Sequence, residues 1–213
     1  MAKVKYTNEN IINIVSDIFT LDSIMFMYYS GSINYGFNDE ESDFDVTAVV
    51  NGFKGSVRID LTNLDLLVYG ADCYLDRFKL KEEVPIYQIV KMDDLLLLDK
   101  NIIYLNPAFK SEFNEYRSLK FDLKNYLDSF IKFQEIRRLN YYVPDKSMYH
   151  ILRIKGMLEH YERVGIYEMK VDEPWFSSML DFKKNYANNI GVTYLPKIIE
   201  ALEYIKLYRK RMW

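Results

Sequence analysis

The sequence predicts an α/β (α+β) fold, in which a small mixed sheet flanked by helices is followed by an all-helical C-terminal bundle. Short apolar runs bounded by turn residues, such as Ile24–Tyr29 and Phe44–Val50, occur in the first half and are typical of strands. Beyond Pro107, apolar residues recur almost throughout at the spacing of amphipathic helices. We therefore predict a mixed α/β domain over residues 1–106 and a helical domain over residues 107–213.

The N-terminal half alternates between helical and strand-like patterns. Its predicted elements are a helix over Glu9–Phe19, strands over Ile24–Tyr29, Phe44–Val50 and Ile102–Leu105, and a helix over Tyr74–Lys81. The segments Val57–Leu61 and Leu64–Tyr69 fit two alternatives. They form either two strands or one long strand with a bulge near Thr62-Asn63.

The C-terminal half shows helical spacing with recognisable start and stop signals. The predicted helices cover Phe121–Leu139, Asp145–Val164, Pro174–Asn185 and Leu195–Arg211. Asp145 is a plausible N-cap, because its short side chain can accept a hydrogen bond from the first turn. Gly165 is a plausible C-terminal stop, and Pro174 suits the start of a helix.

The composition excludes several classes of protein. The chain has 213 residues, a net charge of −3 and a charged fraction of 28%, which are ordinary for a soluble globular protein. The single Cys73 excludes an intramolecular disulfide, and two histidines disfavour a histidine-based zinc centre. No apolar run has the length of a membrane span and no signal peptide is evident, so we expect a cytoplasmic protein without membrane contact. One candidate for a local basic patch is the tail from Lys206 to Arg211.

Phosphate-binding and metal-binding residue types meet where one predicted strand ends and the next begins. Gly31-Ser32 follows the first strand, and Asp43 and Asp45 lie at the entrance of the second. Side chains one residue apart on a strand point to the same face, so the two carboxylates can bind one Mg²⁺ (or Mn²⁺) ion. Backbone N–H groups and a hydroxyl in the turn can hold a triphosphate.

The alternation of the second strand assigns its two faces. Asp43 and Asp45 share a face with Thr47 and Val49. The residues expected to face the core are Phe44, Val46, Ala48 and Val50.

A site with two metal ions needs one more carboxylate from a neighbouring strand. Asp65 fits best, because it interrupts the apolar run Leu64–Val68, where an unpaired charge is costly. Asp60 is the competitor, with Arg58 and Asp60 on the alternate face of the preceding segment. The sequence leaves this choice open.

This constellation resembles the nucleotidyltransferase superfamily that includes DNA polymerase β, whose pattern is Gly-Ser, a spacer, Asp-x-Asp and a later strand aspartate. The sequence motifs in Ser30–Gly36 and Ser42–Asp45 are similar to those of the bacterial and phage branch of predicted nucleotidyltransferases. The stretch Lys146–Arg153 resembles a helical lysine/histidine/arginine segment of the same branch.

The resemblance implies a catalytic domain over residues 1–106 and a helical substrate-binding domain over residues 107–213. The implied reaction moves a nucleoside monophosphate from a nucleoside triphosphate such as ATP to a hydroxyl, with release of pyrophosphate. The implied metal ligands and catalytic residues are Asp43, Asp45 and Asp65. Asp65 is also implied to accept the proton of the attacking hydroxyl.

The resemblance also implies that Gly31 and Ser32 bind the nucleotide. Lys146, His150 and Arg153 are further candidates for nucleotide binding, because they are spaced i, i+4 and i+7 on one helical face. This face can cover the triphosphate or bind an acceptor phosphate. A solvated basic stripe, or His150 packed against a carbonyl, explains the spacing equally well.

The acceptor is open between a small molecule, an RNA end and a protein hydroxyl. Two other functions remain open as alternatives. One is a non-catalytic nucleotide-binding sensor or partner protein, and the other is the nucleotidyltransferase component of a toxin–antitoxin pair.

Overall fold

The computed structural model shows the mixed α/β architecture that the sequence predicts. It describes residues 5–38, 42–76, 99–118, 123–137, 144–166, 168 and 171–213. The chain divides into two compact units, Met1–Phe121 and Asp122–Trp213.

The first unit is built around a mixed sheet. Its elements are α1 (Asn8–Ser16), β1 (Ile24–Tyr29), α2 (Gly31–Asn34), β2 (Phe44–Val50), β3 (Ser56–Leu61), β4 (Leu64–Gly70), α3 (Ala71–Asp76), β5 (Ile102–Leu105) and α4 (Lys110–Ser118). The described strands lie in the order β3-β4-β2-β1-β5. β2 and β4 pair in parallel, and the other neighbouring pairs are antiparallel.

The strand bounds predicted for β1, β2 and β5 are confirmed. The region after β2 forms two strands rather than one bulged strand, because the chain turns at Thr62-Asn63 with Asn63 at a φ of 61°. α1 ends at Ser16 and is shorter than predicted. The helix predicted over Tyr74–Lys81 begins earlier, at Ala71, and residues beyond Asp76 lie outside the described part.

Both faces of the central strand β2 are buried, whereas we expected the core on one face of it, and the edge strand β3 is mostly exposed. One core packs α1 against one face and includes Val46, Ala48 and Val50. A second core covers the other face, where α4 contributes Phe113 and Tyr116. Thr47 and Val49 belong to this second face and are fully buried. The face that carries Asp45 is therefore covered along most of β2.

The second unit is helical in its described part. Its helices are α5 (Leu123–Arg137), α6 (Tyr149–Val164), α7 (Trp175–Asn185), α8 (Asn189–Thr193) and α9 (Leu195–Met212). Asp145 caps the short 3-10 turn Lys146–Met148 that leads into α6, since its side chain accepts from Ser147 N at 2.8 Å. Gly165 ends α6 with a φ of 74°, as predicted. Within the described residues, no helix has the length and apolar character to cross a membrane.

Candidate active site

The Gly31-Ser32 turn and the Asp-x-Asp strand lie against each other. β1 and β2 are antiparallel, so the end of β1 is beside the start of β2. Ser30 N donates to the carbonyl oxygen of Asp45 at 2.8 Å. Gly31 has a φ of +57°, and a Cβ atom built on it would lie 2.6 Å from Asp45 Cγ. Only glycine fits this position, and the predicted proximity of turn and carboxylate is confirmed.

The turn forms the short helix α2 and is anchored on both sides. Thr47 Oγ1 donates to Ser30 Oγ at 3.3 Å, which links the turn to β2. The side chain of Asn34, at the end of α2, is 1% exposed and accepts from Asn101 Nδ2 at 2.9 Å. Asn101 immediately precedes β5, so the turn is also tied to the edge of the sheet. Ser32 is buried within this anchored segment.

Three carboxylates form a row on one face of the sheet. Asp45 of β2 is the register partner of Asp65 of β4, and Asp65 is the register partner of Asp60 of β3. Neighbouring strands are about 4.8 Å apart, so Asp65 is one strand from Asp45 and Asp60 is two strands away. The alternate residues Leu64 and Leu66 face the opposite core. This geometry favours Asp65 as the third carboxylate of the candidate site.

Arg58 joins two of these carboxylates. Its Nη2 is 2.8 Å from Asp65 Oδ2, and its Nε donates to Asp60 Oδ1 at 2.8 Å. Burial raises the pKa of Asp65, the Arg58 guanidinium opposes that rise, and the charge of Asp60 adds to it. The sequence pattern relates Arg58 to Asp60 but does not predict its contact with Asp65. The only sequence signal for it is the i, i+2 spacing of Arg58 and Asp60 on an extended strand.

The chemistry of this row fits a magnesium or manganese ion. Asp65 Oδ1 is buried and has no hydrogen-bond partner among the described residues. Asp45 is half-buried and Asp43 is exposed at the entrance of β2. Within the described ranges, no three acidic, histidine or cysteine side chains converge as a ready-made metal cage. Mg²⁺ usually binds one or two protein carboxylates and completes its shell with water and substrate phosphates, so Asp45 and Asp65 suit it as a partial donor set.

The predicted basic residues of the helical unit differ in their exposure. Lys146 is exposed and lies in the 3-10 turn before α6, and His150 is half-buried on α6. Arg153 is only 2% exposed; its Nε donates to His150 Nδ1 at 3.3 Å and its Nη2 to the hydroxyl of Tyr126 at 3.2 Å. The spacing thus brings His150 and Arg153 together. Their role in nucleotide binding stays a prediction.

The second histidine, His160, is buried and contacts acidic side chains of the helical unit. His160 is 3% exposed and contacts Asp172 through Nδ1 at 2.7 Å and Glu168 through Nε2 at 2.8 Å. Arg163 Nη2 contacts the same Asp172 oxygen at 2.5 Å. The ring therefore tethers the segment after α6 to the helix.

Much of the charge of the C-terminal basic cluster is balanced inside the helical unit. Arg209 donates to both carboxylate oxygens of Asp128, at 2.6 and 2.9 Å. Arg211 pairs with Glu162, and Lys206 donates to Glu203 at 3.0 Å. Paired charges attract a phosphate backbone less than free ones, so this cluster is a weak candidate for nucleic-acid binding.

No protein-family model matches the chain, and no curated protein matches it. Among solved structures, the chain is similar to a nucleotidyltransferase-like protein from Exiguobacterium sibiricum 255-15. The match covers 93% of this chain and 73% of that chain, with a TM-score of 0.33 and a sequence identity of 11%. The functional assignment therefore depends on the residues described above.

Proposed function

We propose that the chain is a metal-dependent nucleotidyltransferase that moves a nucleoside monophosphate from a nucleoside triphosphate to a hydroxyl acceptor. The observation that carries this proposal is the close approach of Gly31 to the Asp45 carboxylate. It places a turn suited to phosphate beside a carboxylate suited to a divalent ion. The register pairing of Asp45 with Asp65 adds a second oxygen ligand on the same face.

Each residue has a defined task in this proposal. Gly31 has no side chain, so the Asp45 carboxylate can lie against the turn, whose backbone N–H groups would bind the triphosphate. Ser32 offers a hydroxyl to the same phosphates. Asp43, Asp45 and Asp65 would hold Mg²⁺ (or Mn²⁺), and Asp65 would also lie beside the acceptor hydroxyl. When bound, the metal neutralises charge on the phosphates and on the attacking and leaving oxygens.

The proposed reaction is an in-line displacement at the α-phosphorus. The acceptor oxygen forms a bond to that phosphorus, and the bond from phosphorus to the α,β-bridging oxygen breaks. The electron pair of the broken bond leaves with pyrophosphate. Asp65 accepts the acceptor's proton, a role that suits a carboxyl whose pKa is raised by burial.

The charge of the chain indicates which class of acceptor is favoured. The net charge is −3, and the described partners of Arg209 and Arg211 are acidic residues of their own unit. Long nucleic acids bind mainly through arginine and lysine contacts to phosphate. These observations favour a small molecule or a protein hydroxyl over a long nucleic acid as the acceptor.

The test is transfer of label from α-³²P nucleoside triphosphates in the presence of Mg²⁺ or Mn²⁺. Acceptors are the protein itself, RNA and a cell extract, and the variants are Asp45→Asn and the control Asp99→Asn. Asp99 is an exposed acid of the same unit that pairs with Arg117. We expect transfer by the wild type and by the control, and none by Asp45→Asn.

Two results would contradict the proposal. If Asp45→Asn transfers label as well as the wild type, the site assignment is wrong. If the wild type transfers no label but binds nucleotide in calorimetric titration, the chain is a nucleotide sensor rather than an enzyme.

A further inference from the structure

Arg58 spans two strands at the edge of the candidate site. Its guanidinium contacts Asp60 on its own strand and Asp65 on the neighbouring strand, both at 2.8 Å. A guanidinium presents several N–H donors in a rigid plane, so one side chain can hold two carboxylates at once. The ammonium of a lysine is a single point charge without that fork.

The contact leaves one oxygen of Asp65 available. Arg58 binds Oδ2, while Oδ1 is buried and has no hydrogen-bond partner among the described residues. A buried acceptor without a donor is unfavourable, and a bound cation removes that cost. A divalent ion can therefore bind Oδ1 without displacing Arg58 from Oδ2.

Two effects of Arg58 on such an ion oppose each other. Its positive charge repels the ion, but Arg58 is 60% exposed and contacts Oδ2 rather than Oδ1, so water screens the repulsion. Its hydrogen bond orients a metal ligand, and loss of such an outer partner typically weakens metal binding by about 10- to 100-fold. We expect the orienting effect to be the larger of the two, because it acts directly on the carboxylate that binds the ion.

We propose that Arg58 is a positioning residue of the divalent-ion site: it holds Asp65 through Oδ2 and keeps Oδ1 directed to the ion. This inference rests on the proposed function. Asp60 is the anchor that keeps the guanidinium in place. It is 68% exposed and pairs with Arg58 through Nε.

The test is binding of Mn²⁺ measured by electron paramagnetic resonance, with a non-hydrolysable nucleoside triphosphate present. The variants are Arg58→Gln, Arg58→Lys and the control Arg117→Gln. Arg117 is a partly exposed arginine paired with Asp99 near β5, at the opposite edge of the sheet from β3. We expect Arg58→Gln to weaken Mn²⁺ binding about 10-fold and Arg58→Lys to recover part of it. Arg117→Gln is expected to bind like the wild type.

Thermal unfolding in EDTA separates positioning from a structural role. Arg58 is mostly exposed, so Arg58→Gln and Arg117→Gln should unfold at similar temperatures without metal. Unchanged or tighter Mn²⁺ binding by Arg58→Gln would overturn the inference and leave the proposed function intact. Failure of the wild type to bind Mn²⁺ with nucleotide would instead contradict the proposed function itself.

Discussion

A Cβ atom on Gly31 would lie 2.6 Å from Cγ of Asp45, so the turn and the Asp-x-Asp strand meet without space for a side chain. Gly31→Ala must therefore displace either the turn or the carboxylate. A shift of about 1 Å in a reacting group can reduce turnover about 100-fold, and we expect a loss of that size. The measurement is the initial rate of metal-dependent nucleotide transfer.

The matched control for this substitution is Gly52→Ala. Gly52 also has a positive φ, +75°, but a Cβ atom there would meet nothing within 4 Å. It carries the backbone strain of the left-handed region, about 1–2 kcal/mol, without the collision. We expect Gly52→Ala to lower stability and preserve transfer; equal loss of transfer in both variants would show that the contact with Asp45 is unimportant.

Asp65→Asn and Asp60→Asn decide which residue is the third carboxylate. Asp65 is the register partner of Asp45, whereas Asp60 is one strand further away. Loss of a general base typically costs about 100- to 10,000-fold in rate, so we expect at least a 100-fold loss in Asp65→Asn. Asp60→Asn should lose less than about 10-fold, because it acts only through Arg58. The reverse order of the two rate losses would assign the role to Asp60.

Asn101→Ala tests the anchor between the turn and the edge of the sheet. Asn34 is 1% exposed, and its Oδ1 accepts from Asn101 Nδ2 at 2.9 Å. The substitution leaves a buried acceptor unpaired, which costs about 1–3 kcal/mol of unfolding free energy. Urea denaturation measures the change, with the exposed Asn51→Ala as control. A change within about 0.5 kcal/mol, as expected of the control, would show that the anchor contributes little.

The pair formed by Asp128 and Arg209 predicts a pH dependence in the helical unit. Burial raises the pKa of Asp128, but hydrogen bonds from Arg209 and Lys124 outweigh it and bring the pKa below its usual value. A lowered carboxyl pKa in the folded state stabilises the fold above the unfolded pKa of about 3.9. That stabilisation is lost as the pH falls through the folded value.

Asp128→Asn should therefore lower the unfolding free energy at neutral pH by about 0.5–1 kcal/mol, because the pair is partly exposed. The difference from the wild type should shrink as the pH falls through the unfolded pKa of about 3.9 toward the lower pKa of the folded state. Urea denaturation across this range measures it. A difference that stays constant over the whole range would show that the carboxylate charge is not the cause.

Local sequence patterns were sufficient to predict most helices and strands of the first unit. β1, β2 and β5 begin and end at the bounds predicted from their strand-like patterns and flanking turn residues. A buried strand is apolar on both faces, so it forms a continuous run that turn residues interrupt on each side. The same locality explains why the Gly-Ser turn and the Asp-x-Asp pair were recognised as neighbours: only a short loop separates two strands that pair directly.

The relationship of Arg58 to Asp65 could not be predicted in this way. Whether these side chains share a face depends on the hairpin of β3 and β4, where Arg58 is opposite Leu67 and Asp60 is opposite Asp65. A shift of one residue in that register would turn the carboxylate to the other face of the sheet. The sequence left one long strand open as an alternative, so it could not specify this register.

The sequence alone gives the residue types of the candidate site and predicts that Asp43 and Asp45 share a face. The predicted face follows from the alternation of side chains along one strand, which is a local property. Only the tertiary structure decided that β4 lies parallel to β2 with Asp65 beside Asp45, and that Arg58 holds Asp65. Strand pairing joins residues distant in the chain, and its register depends on how both faces of the sheet pack against their helices.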